Sequence, residues 1–255
     1  MSASPKPPPG SAIDPQEWQL RVDLAATYRI FASWGWDELI YNHITVRLPG
    51  PDKRFLINPF GLHYSEVTAS SLLCIDLEGR IIGPADWPVN PAGFTVHAAI
   101  HDAIPEAHCV MHTHTTAGMA VACSRAGLSM DNFYGAQLHD KLAYHDFEGI
   151  TVRADEGPRL VRSIGDRQAV ILRNHGLLAW GDTLPRTLAI IWLLNRACEI
   201  QLASATLGKP IPIPLGIRER CAADSLQFHA QYGAGQDVFD AMVRRIDRID
   251  PSYRY

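Results

Sequence analysis

The sequence predicts an α/β protein in which helices surround a mixed, mostly antiparallel sheet. A capped helix opens the folded part of the chain, and three short β-rich runs follow it with only turn residues between them. Further along, helical and strand-like segments alternate, and a long helix follows a strand hairpin. Because strands joined by short turns pair antiparallel, these observations favour a largely antiparallel sheet.

The first predicted helix lies in DPQEWQLRVDLAATYRIFASWGW. Asp14 can cap it, and Pro15 suits the first helical position. Glu17 completes a capping-box pattern, and Gly35 provides a stop. The three β-rich runs after this helix are HITVRL at 43–48, RFLINP at 54–59 and LLCIDLEG at 72–79.

The middle of the chain predicts further helices and strands. NPAGFTVHAAIHDAI is predicted as a helix that Pro105 ends, and a strand in AHCVMHTH leads into a helix that begins at Thr115 or Thr116. Strands are predicted around LAYHDFEGI and TVRA, a helix in EGPRLVRSIG, and a buried strand hairpin in AVILRNHGLLAWG.

A long helix follows the hairpin, with Asp182 or Thr183 as its cap and Gly208 as its stop. The amphipathic segment GQDVFDAMVRRIDRID is predicted as the last helix. Residues 1–13 are predicted to be a disordered, Pro-rich tail. No internal repeat or linker is visible after it, so we expect residues 14–255 to form a single domain.

Composition excludes several functional classes. The chain is 47% hydrophobic and 20% charged, with a formal net charge of −4, as in ordinary globular proteins. No Lys/Arg cluster is dense enough to indicate nucleic-acid binding, so we expect no nucleic-acid partner. No apolar run is long enough to span a membrane. The start of the chain does not have the pattern of a secretory signal, and the five widely spaced cysteines favour a reducing, cytoplasmic location.

Two histidines in MHTHT provide the strongest chemical signal. Side chains two apart on a strand share a face, so His112 and His114 can bind one metal ion together. His175 follows the strand AVILRN as a candidate third ligand, and we expect Gly176 to let the backbone turn sharply beside it. Three neutral imidazoles leave a coordination position open, as in catalytic sites. The alternative is that these are ordinary polar residues on a strand and a turn.

The other histidines compete with this trio. His97 and His101 lie four apart in FTVHAAIHD and would share one face of a helix, so they form an alternative metal pair without a recognisable third ligand. His139 and His145 suit either an acid/base role near the site or a strand edge. The remaining four have no signal beyond an ordinary polar role: His43, His63, His108 and His229.

Several segments together resemble the class II aldolase/adducin family. NPAGFTVHAAIHDAIPEAHCVMHTHT, LAYHDFEG, VILRNHGLLAWGDT and RACEIQL follow one another in the order and approximate spacing of that family. The resemblance runs from about residue 20 to the C-terminus and is nearest to the adducin head domain and its bacterial relatives.

The resemblance implies a three-layer α/β/α fold with a central sheet, assembled as a homotetramer whose active sites lie at subunit interfaces. It also implies that His112, His114 and His175 hold a divalent metal ion. We expect zinc, with manganese or iron as alternatives.

The sequence departs from the aldolase pattern at a site that matters for chemistry. Fuculose-phosphate aldolase-like enzymes carry two serines and an acid/base glutamate where this chain has Pro91, Ala92 and Gly93. Part of the phosphate pocket is retained as Asn42 and as Gly61 within NPFG. The candidate substrate-binding residues are therefore Asn42, Gly61 and Gly93, and the candidate acid/base residues are His97, Tyr134 and His145.

Two functions of different classes follow. The first is a metal-dependent carbon–carbon lyase that acts by retro-aldol cleavage or decarboxylation, through a metal-stabilised enediolate, on a small unphosphorylated hydroxy-carbonyl or hydroxy-acid substrate. The second is a non-catalytic, adducin-like binding module. It is less favoured because the chain ends at PSYRY, without the neck and basic tail of adducins. An iron oxygenase ranks last because no carboxylate is placed to complete its ligand set.

Overall fold

The computed structural model describes residues 7, 13–150, 153–227 and 229–255. Seven strands form one sheet in the order β3-β2-β1-β4-β7-β6-β5. The strands are β1 His43–Arg47, β2 Phe55–Ile57, β3 Leu73–Ile75, β4 Cys109–Thr113, β5 Leu142–His145, β6 Ala169–Leu172 and β7 Gly176–Gly181. The β5–β6 pair is parallel and the other neighbouring pairs are antiparallel, which confirms the mixed, mostly antiparallel sheet.

Helices cover both faces of the sheet. They are α1 Pro15–Trp34, α2 Pro91–Ala103, α3 Thr116–Ala122, α4 Phe133–Gln137, α5 Gly157–Ile164, α6 Leu184–Ser204, α7 Leu215–Ala223 and α8 Gln236–Ile249. Apolar side chains of α1, α3, α6 and α8 form one core with the sheet, and those of α2 and α5 pack on the opposite face. Helices therefore flank the sheet on both sides, as a three-layer α/β/α fold requires. In the part of the chain that the structure describes, no helix is both long and apolar enough to cross a membrane.

Strand β4 lies at the centre of the sheet and shows how the two faces are used. Met111 packs into the α1/α6 core, and Val110 packs into the α2/α5 core. His112 follows Val110 at the two-residue period of a strand, so it faces the α2 side. Thr45 of β1 also faces that side, because its hydroxyl hydrogen-bonds to His97 of α2.

Most helix ends match the capping signals in the sequence. Asp14 accepts hydrogen bonds from the backbone N–H groups of Gln16 and Glu17, and Gly35 ends α1 with a left-handed φ of 70°. Thr183, the second of the two candidate caps of α6, is its N-cap. This helix ends at Ser204, four residues before the expected stop at Gly208.

The second strand predicted around TVRA is wrong where it can be checked. Arg153 is irregular and Ala154 begins a 3₁₀ helix that runs to Glu156, while residues 151 and 152 lie outside the described residues. The partner of β5 is instead β6, which pairs with it in parallel. The Pro-rich tail predicted at 1–13 lies outside the described residues apart from Pro7 and Ile13.

Candidate metal centre

Three histidines meet where β4 ends and β7 begins. His112 is the fourth residue of β4, and His114 follows one residue after the strand. His175 lies in the three-residue loop between β6 and β7. Because β4 and β7 pair with Thr113 opposite Leu177, the loop that carries His175 is held beside His112 and His114.

The ring nitrogens of this trio converge on one point. One nitrogen from each ring lies within 4.8 Å of the other two, and the Nε2 atoms of His112 and His114 are 2.7 Å apart. The His175 ring centroid lies 4.7 Å from that of His112 and 5.0 Å from that of His114. In the parts of the chain that the structure describes, this is the one group of three metal-ligating side chains. The alternative pair His97 and His101 has no third ligand there.

A backbone carbonyl determines which ring nitrogen of His112 keeps the lone pair that could bind a metal ion. His112 Nδ1 lies 2.8 Å from the Leu177 carbonyl oxygen, which can only accept a hydrogen bond, so Nδ1 carries the proton. The neutral ring then has its lone pair on Nε2, the atom that faces His114. Metal-binding imidazoles are commonly oriented by such a bond from their second nitrogen.

Burial keeps all three rings neutral at physiological pH. It holds the pKa of His112 well below the ordinary value, and the neighbouring His175 and His114 lower it further. Burial also lowers the pKa of His114, although the Glu38 carboxylate opposes the shift. The pKa of His175 falls to about 4 by burial and then by the proximity of His114 and His145. Three neutral imidazoles converging on one point fit a divalent ion such as Zn²⁺.

The β6–β7 loop turns at a different residue from the expected one. Asn174 has a left-handed φ of 55°, whereas Gly176 is the first residue of β7. A Cβ at Gly176 would overlap the Thr113 carbonyl oxygen and would stand 3.1 Å from His114 Cδ2. Gly176 is therefore needed for the close approach of two strands beside the trio, and the expectation that it makes the turn is wrong.

The trio opens onto a cavity of about 600 Å³, large enough for a small organic molecule. Polar groups lie near the histidines, and exposed apolar side chains such as Phe147 and Ile150 lie at its rim. The wall is formed by Glu38, Tyr41, His43, Phe60, Asn90, Gly93, Val96, His112, His114, Met119, Phe147, Gly149, Ile150, Asn174 and His175.

Gly93 is the one predicted substrate-binding residue on this wall. It lies in the first turn of α2, where its N–H donates to the side chain of the N-cap, Asn90. Asn42 lies between two residues of the cavity wall, Tyr41 and His43, but is itself buried and does not line the cavity. Its side-chain amide donates to the Trp36 carbonyl. Gly61, with φ 113°, packs against the Trp87 ring and does not line the cavity.

The predicted acid/base residues occupy three different places. His97 is fully buried in α2, with its Nδ1 2.8 Å from the Thr45 hydroxyl. Tyr134 lies in α4, where its ring packs edge-on against Trp192, away from the cavity. His145 is buried at the end of β5, with its Nδ1 3.1 Å from the Ser163 hydroxyl. The structure does not bring these three together.

His145 lies close to the trio without lining the main cavity. It shares a small hollow with His175 and Phe147. Its Nε2 is 3.5 Å from the Glu156 carboxylate and 3.7 Å from Glu148. Burial raises the pKa of Glu156, and the nearby His145 opposes that shift.

Sequence reasoning missed His43, which lines the cavity beside His112. The two residues are directly opposite in the β1–β4 pair, and their rings are 5.3 Å apart. The strand HITVRL was recognisable, but its partner strand and register were not. The only signal was a histidine that opens one strand and another near the end of a second strand.

Comparisons with known proteins agree with this fold. Residues 22–202 match the family described as Class II Aldolase and Adducin N-terminal domain. A crystal structure of an aldolase II superfamily protein from Pseudomonas syringae superposes with a TM-score of 0.89 at 36% identity, covering 95% of this chain and 98% of that chain. L-fuculose 1-phosphate aldolase from Glaciozyma antarctica PI12 has a TM-score of 0.84 at 30% identity, covering 99% of this chain and 98% of that chain.

Mouse alpha-adducin is another relative. It is 40% identical over 262 residues, which cover 96% of this chain but 36% of the adducin. A protein of Caulobacter vibrioides, named provisionally as a class 2 aldolase, is 39% identical over 94% of each chain. The family match covers most of the chain, and full-length relatives share its fold, so this protein belongs to the class II aldolase and adducin family.

Proposed function

We propose that this protein is a metal-dependent carbon–carbon lyase that cleaves a small, unphosphorylated hydroxy-carbonyl or hydroxy-acid compound by retro-aldol reaction or decarboxylation. The observation that carries the proposal is the trio of neutral imidazoles, His112, His114 and His175, at the wall of a cavity of about 600 Å³. A site with three protein ligands keeps a coordination position for substrate or water, as catalytic metal sites do.

Zinc is the ion that we propose for this trio, with manganese or iron(II) as alternatives that imidazole ligands also accept. When bound, the ion supplies a Lewis acid that polarises substrate oxygens and disperses the negative charge left when the carbon–carbon bond breaks. The protein holds the ligand rings neutral and aims the lone pair of His112 by its bond to Leu177.

The composition of the cavity wall supports an unphosphorylated substrate. Among the described residues that line it, no Lys or Arg is present, whereas Glu38 contributes a carboxylate. A phosphate group would need positive charge or several donated hydrogen bonds. Asn42 is buried, its side-chain amide donates to the Trp36 carbonyl, and it does not line the cavity, so it presents no donor to a phosphate oxygen there. Gly93, and Gly61 beside Phe60 of the wall, remain proposed to shape the substrate pocket.

Proton transfer is proposed to involve His97, Tyr134 or His145. His145 is near the trio, and His97 packs behind the wall residue His43 with its ring centroid 4.2 Å away. Tyr134 does not line the cavity of its own chain, so a catalytic role would require delivery into the site of a neighbouring subunit. This fits the proposed homotetramer with interfacial sites. The five free cysteines fit the proposed reducing, cytoplasmic location.

The first experiment measures metal content in untagged protein by inductively coupled plasma mass spectrometry. We expect one metal ion per chain in the wild type and loss of that ion in His112→Ala/His114→Ala. His108→Ala is the matched control, since His108 is an exposed histidine away from the cavity. A wild type that stays metal-free after incubation with Zn²⁺, Mn²⁺ and Fe²⁺ contradicts the proposal.

The second experiment asks whether the metal-loaded protein is an enzyme. It is incubated with a panel of small hydroxy acids and hydroxy ketones, and aldehyde and CO₂ release are measured. Product that depends on both His112 and His175 supports the lyase. Stoichiometric metal without product from any panel member favours a binding module.

A non-catalytic, adducin-like binding module is the second candidate function. Two observations favour it: a glycine at position 93 in place of an acid/base side chain, and 40% identity to alpha-adducin over nearly the whole chain. In that case the histidine trio would stabilise the fold around an ion without turnover, and removing the metal would lower thermal stability while no substrate is consumed.

A further inference from the structure

His43 is a buried side chain that faces the candidate metal centre from a different strand. It lies opposite His112 in the β1–β4 ladder, with the two ring centroids 5.3 Å apart. Although it is only 5% exposed, it forms part of the cavity wall. The His43 ring therefore borders the part of the cavity next to His112.

The two ring nitrogens of His43 differ in their surroundings. Nδ1 lies 3.4 Å from the Tyr41 carbonyl oxygen, which can only accept a hydrogen bond. The proton of the neutral ring therefore belongs on Nδ1, and Nε2 carries the lone pair. Nε2 is buried and has no hydrogen-bond partner among the described residues. Buried polar atoms in proteins are nearly always hydrogen-bonded, and this unpaired acceptor belongs to a residue of the cavity wall, where a bound ligand would supply the missing donor.

Gly93 makes room for His43. A Cβ at position 93 would lie 2.8 Å from His43 Nδ1 and 3.0 Å from Cγ, closer than real Cβ contacts allow. The imidazole thus occupies the space where a side chain at position 93 would begin. The His43 ring can occupy this position because residue 93 has no side chain.

A chain of hydrogen bonds fixes the ring behind His43. His101 Nδ1 donates to the Ala107 carbonyl at 2.7 Å, so its Nε2 accepts from the Thr45 hydroxyl at 2.7 Å. The Thr45 oxygen in turn accepts from His97 Nδ1 at 2.8 Å. His97 packs against His43 with a centroid distance of 4.2 Å. Rigid support of this kind keeps a binding group in a single orientation.

We propose that His43 is a substrate-binding residue whose Nε2 accepts a hydrogen bond from a hydroxyl group of the substrate, beside the atoms that approach the trio. The substrate class is then a compound with a hydroxyl adjacent to its carbonyl or carboxylate. This inference rests on the proposed function, because it takes the trio to be the point at which the substrate is held. It also assigns a role to the glycine that replaces an acid/base side chain.

The test compares two small hydroxamates on zinc-loaded protein by isothermal titration calorimetry. Glycolohydroxamate carries a hydroxyl that acetohydroxamate lacks, and the two otherwise share the same metal-binding group. We expect the wild type to bind glycolohydroxamate about tenfold more tightly, the effect of one added hydrogen bond. His43→Leu should remove this preference and leave acetohydroxamate binding unchanged. His43→Gln, which keeps an acceptor near the position of Nε2, should restore part of it.

A glycine pair provides a matched steric control. Gly93→Ala should displace the His43 ring and reduce the preference, whereas Gly216→Ala should not, since its nearest neighbours would be 3.9 Å away. A wild type without preference, or a preference that survives in His43→Leu, overturns the proposal.

Histidine-selective ¹⁵N NMR on metal-free protein tests His43 independently of the metal and of activity. The signal is assigned by its loss in His43→Gln. A proton on Nδ1 and a lone pair on Nε2 are expected, and a proton on Nε2 overturns the acceptor role. If the wild type binds zinc poorly or binds neither hydroxamate, the proposed function fails and the substrate-binding role of His43 fails with it. A wild type that binds zinc and both hydroxamates equally keeps the metal site and overturns the role of His43 alone.

Discussion

A single backbone carbonyl decides the chemistry of His112. The Leu177 oxygen accepts a hydrogen bond from Nδ1–H, so the lone pair of the neutral ring lies on Nε2. The same rule assigns Nδ1–H to His43 through Tyr41 and to His101 through Ala107. At the residue scale, the backbone carbonyl beside each buried ring therefore decides which nitrogen carries the proton and which keeps the lone pair.

Buried neutral histidines predict a pH dependence of folding that is measurable at His101. Burial lowers its pKa from 6.5 to about 3, so below pH 6.5 the unfolded chain binds a proton that the folded protein does not. The contribution of neutral His101 to the free energy of unfolding is therefore fully present above pH 6.5 and is lost as the pH falls toward 3. Below pH 6, His101 alone makes the free energy of unfolding fall by about 1.4 kcal/mol for each pH unit of acidification.

The measurement is urea unfolding of metal-free protein at pH 5.0, 6.0 and 7.0. His101→Gln keeps a polar side chain but removes the titration, so its free energy of unfolding should fall less steeply with acid than that of the wild type. Equal slopes for the two proteins would show that His101 is protonated in the folded state.

At the scale of elements, local signals place helix starts better than strand partners. The caps Asp14, Asn90 and Thr183 each accept from backbone N–H groups of the first turn of their helices. These bonds involve residues two or three apart, so the sequence contains all of their information. The predicted second strand around TVRA fails for the opposite reason, since β5 finds its partner in β6, more than twenty residues further along the chain.

The cap of α1 gives a direct prediction. Asp14 Oδ1 accepts from Gln16 N at 2.8 Å and from Glu17 N at 3.4 Å. Asp14→Ala leaves both N–H groups without this partner and should lower the free energy of unfolding by about 1 kcal/mol in urea titrations. Asp14→Asn retains an acceptor at the cap and should remain close to the wild type. Equal losses in the two variants would show that charge at the helix terminus, rather than the capping bond, stabilises α1.

At the scale of the whole molecule, the sheet order assembles the site. Neighbours β1, β4, β7 and β6 contribute His43, His112, and the loop that carries His175. His43 and His175 are 132 residues apart in the sequence, and antiparallel pairing brings these segments to one end of the sheet. Helix α2 then covers that end and supplies Gly93 to the cavity wall.

The cavity rim predicts the proposed homotetramer with interfacial sites. Tyr41, Phe147 and Ile150 line the cavity and are 53%, 51% and 80% exposed, more than isolated apolar side chains require. Light scattering after gel filtration should give a mass four times that of the 28.2 kDa chain. Ile150→Lys should lower this mass. Ile249→Lys should not, because Ile249 is exposed on α8, on the other side of the sheet. A wild-type mass of a single chain would contradict the assembly and the delivery of Tyr134 to a neighbouring site.

The sequence by itself determined the features that depend on near neighbours. Spacings of one to four residues predict the helix caps, the β6–β7 hairpin and the shared face of His112 and His114. The resemblance to the family added His175 to that pair. The fold class followed as well, because turn-separated β runs and helical segments are local patterns.

Only the tertiary structure decided the features that depend on pairing between distant segments. His43 became a site residue because β1 pairs with β4 in one register, and Gly93 became its steric partner because α2 packs over that pair. Tyr134, close to the trio in sequence, lies against Trp192 instead. Strand register and helix packing are fixed by long-range burial, which no local pattern encodes. The histidine trio was therefore visible in the sequence, but its surroundings were not.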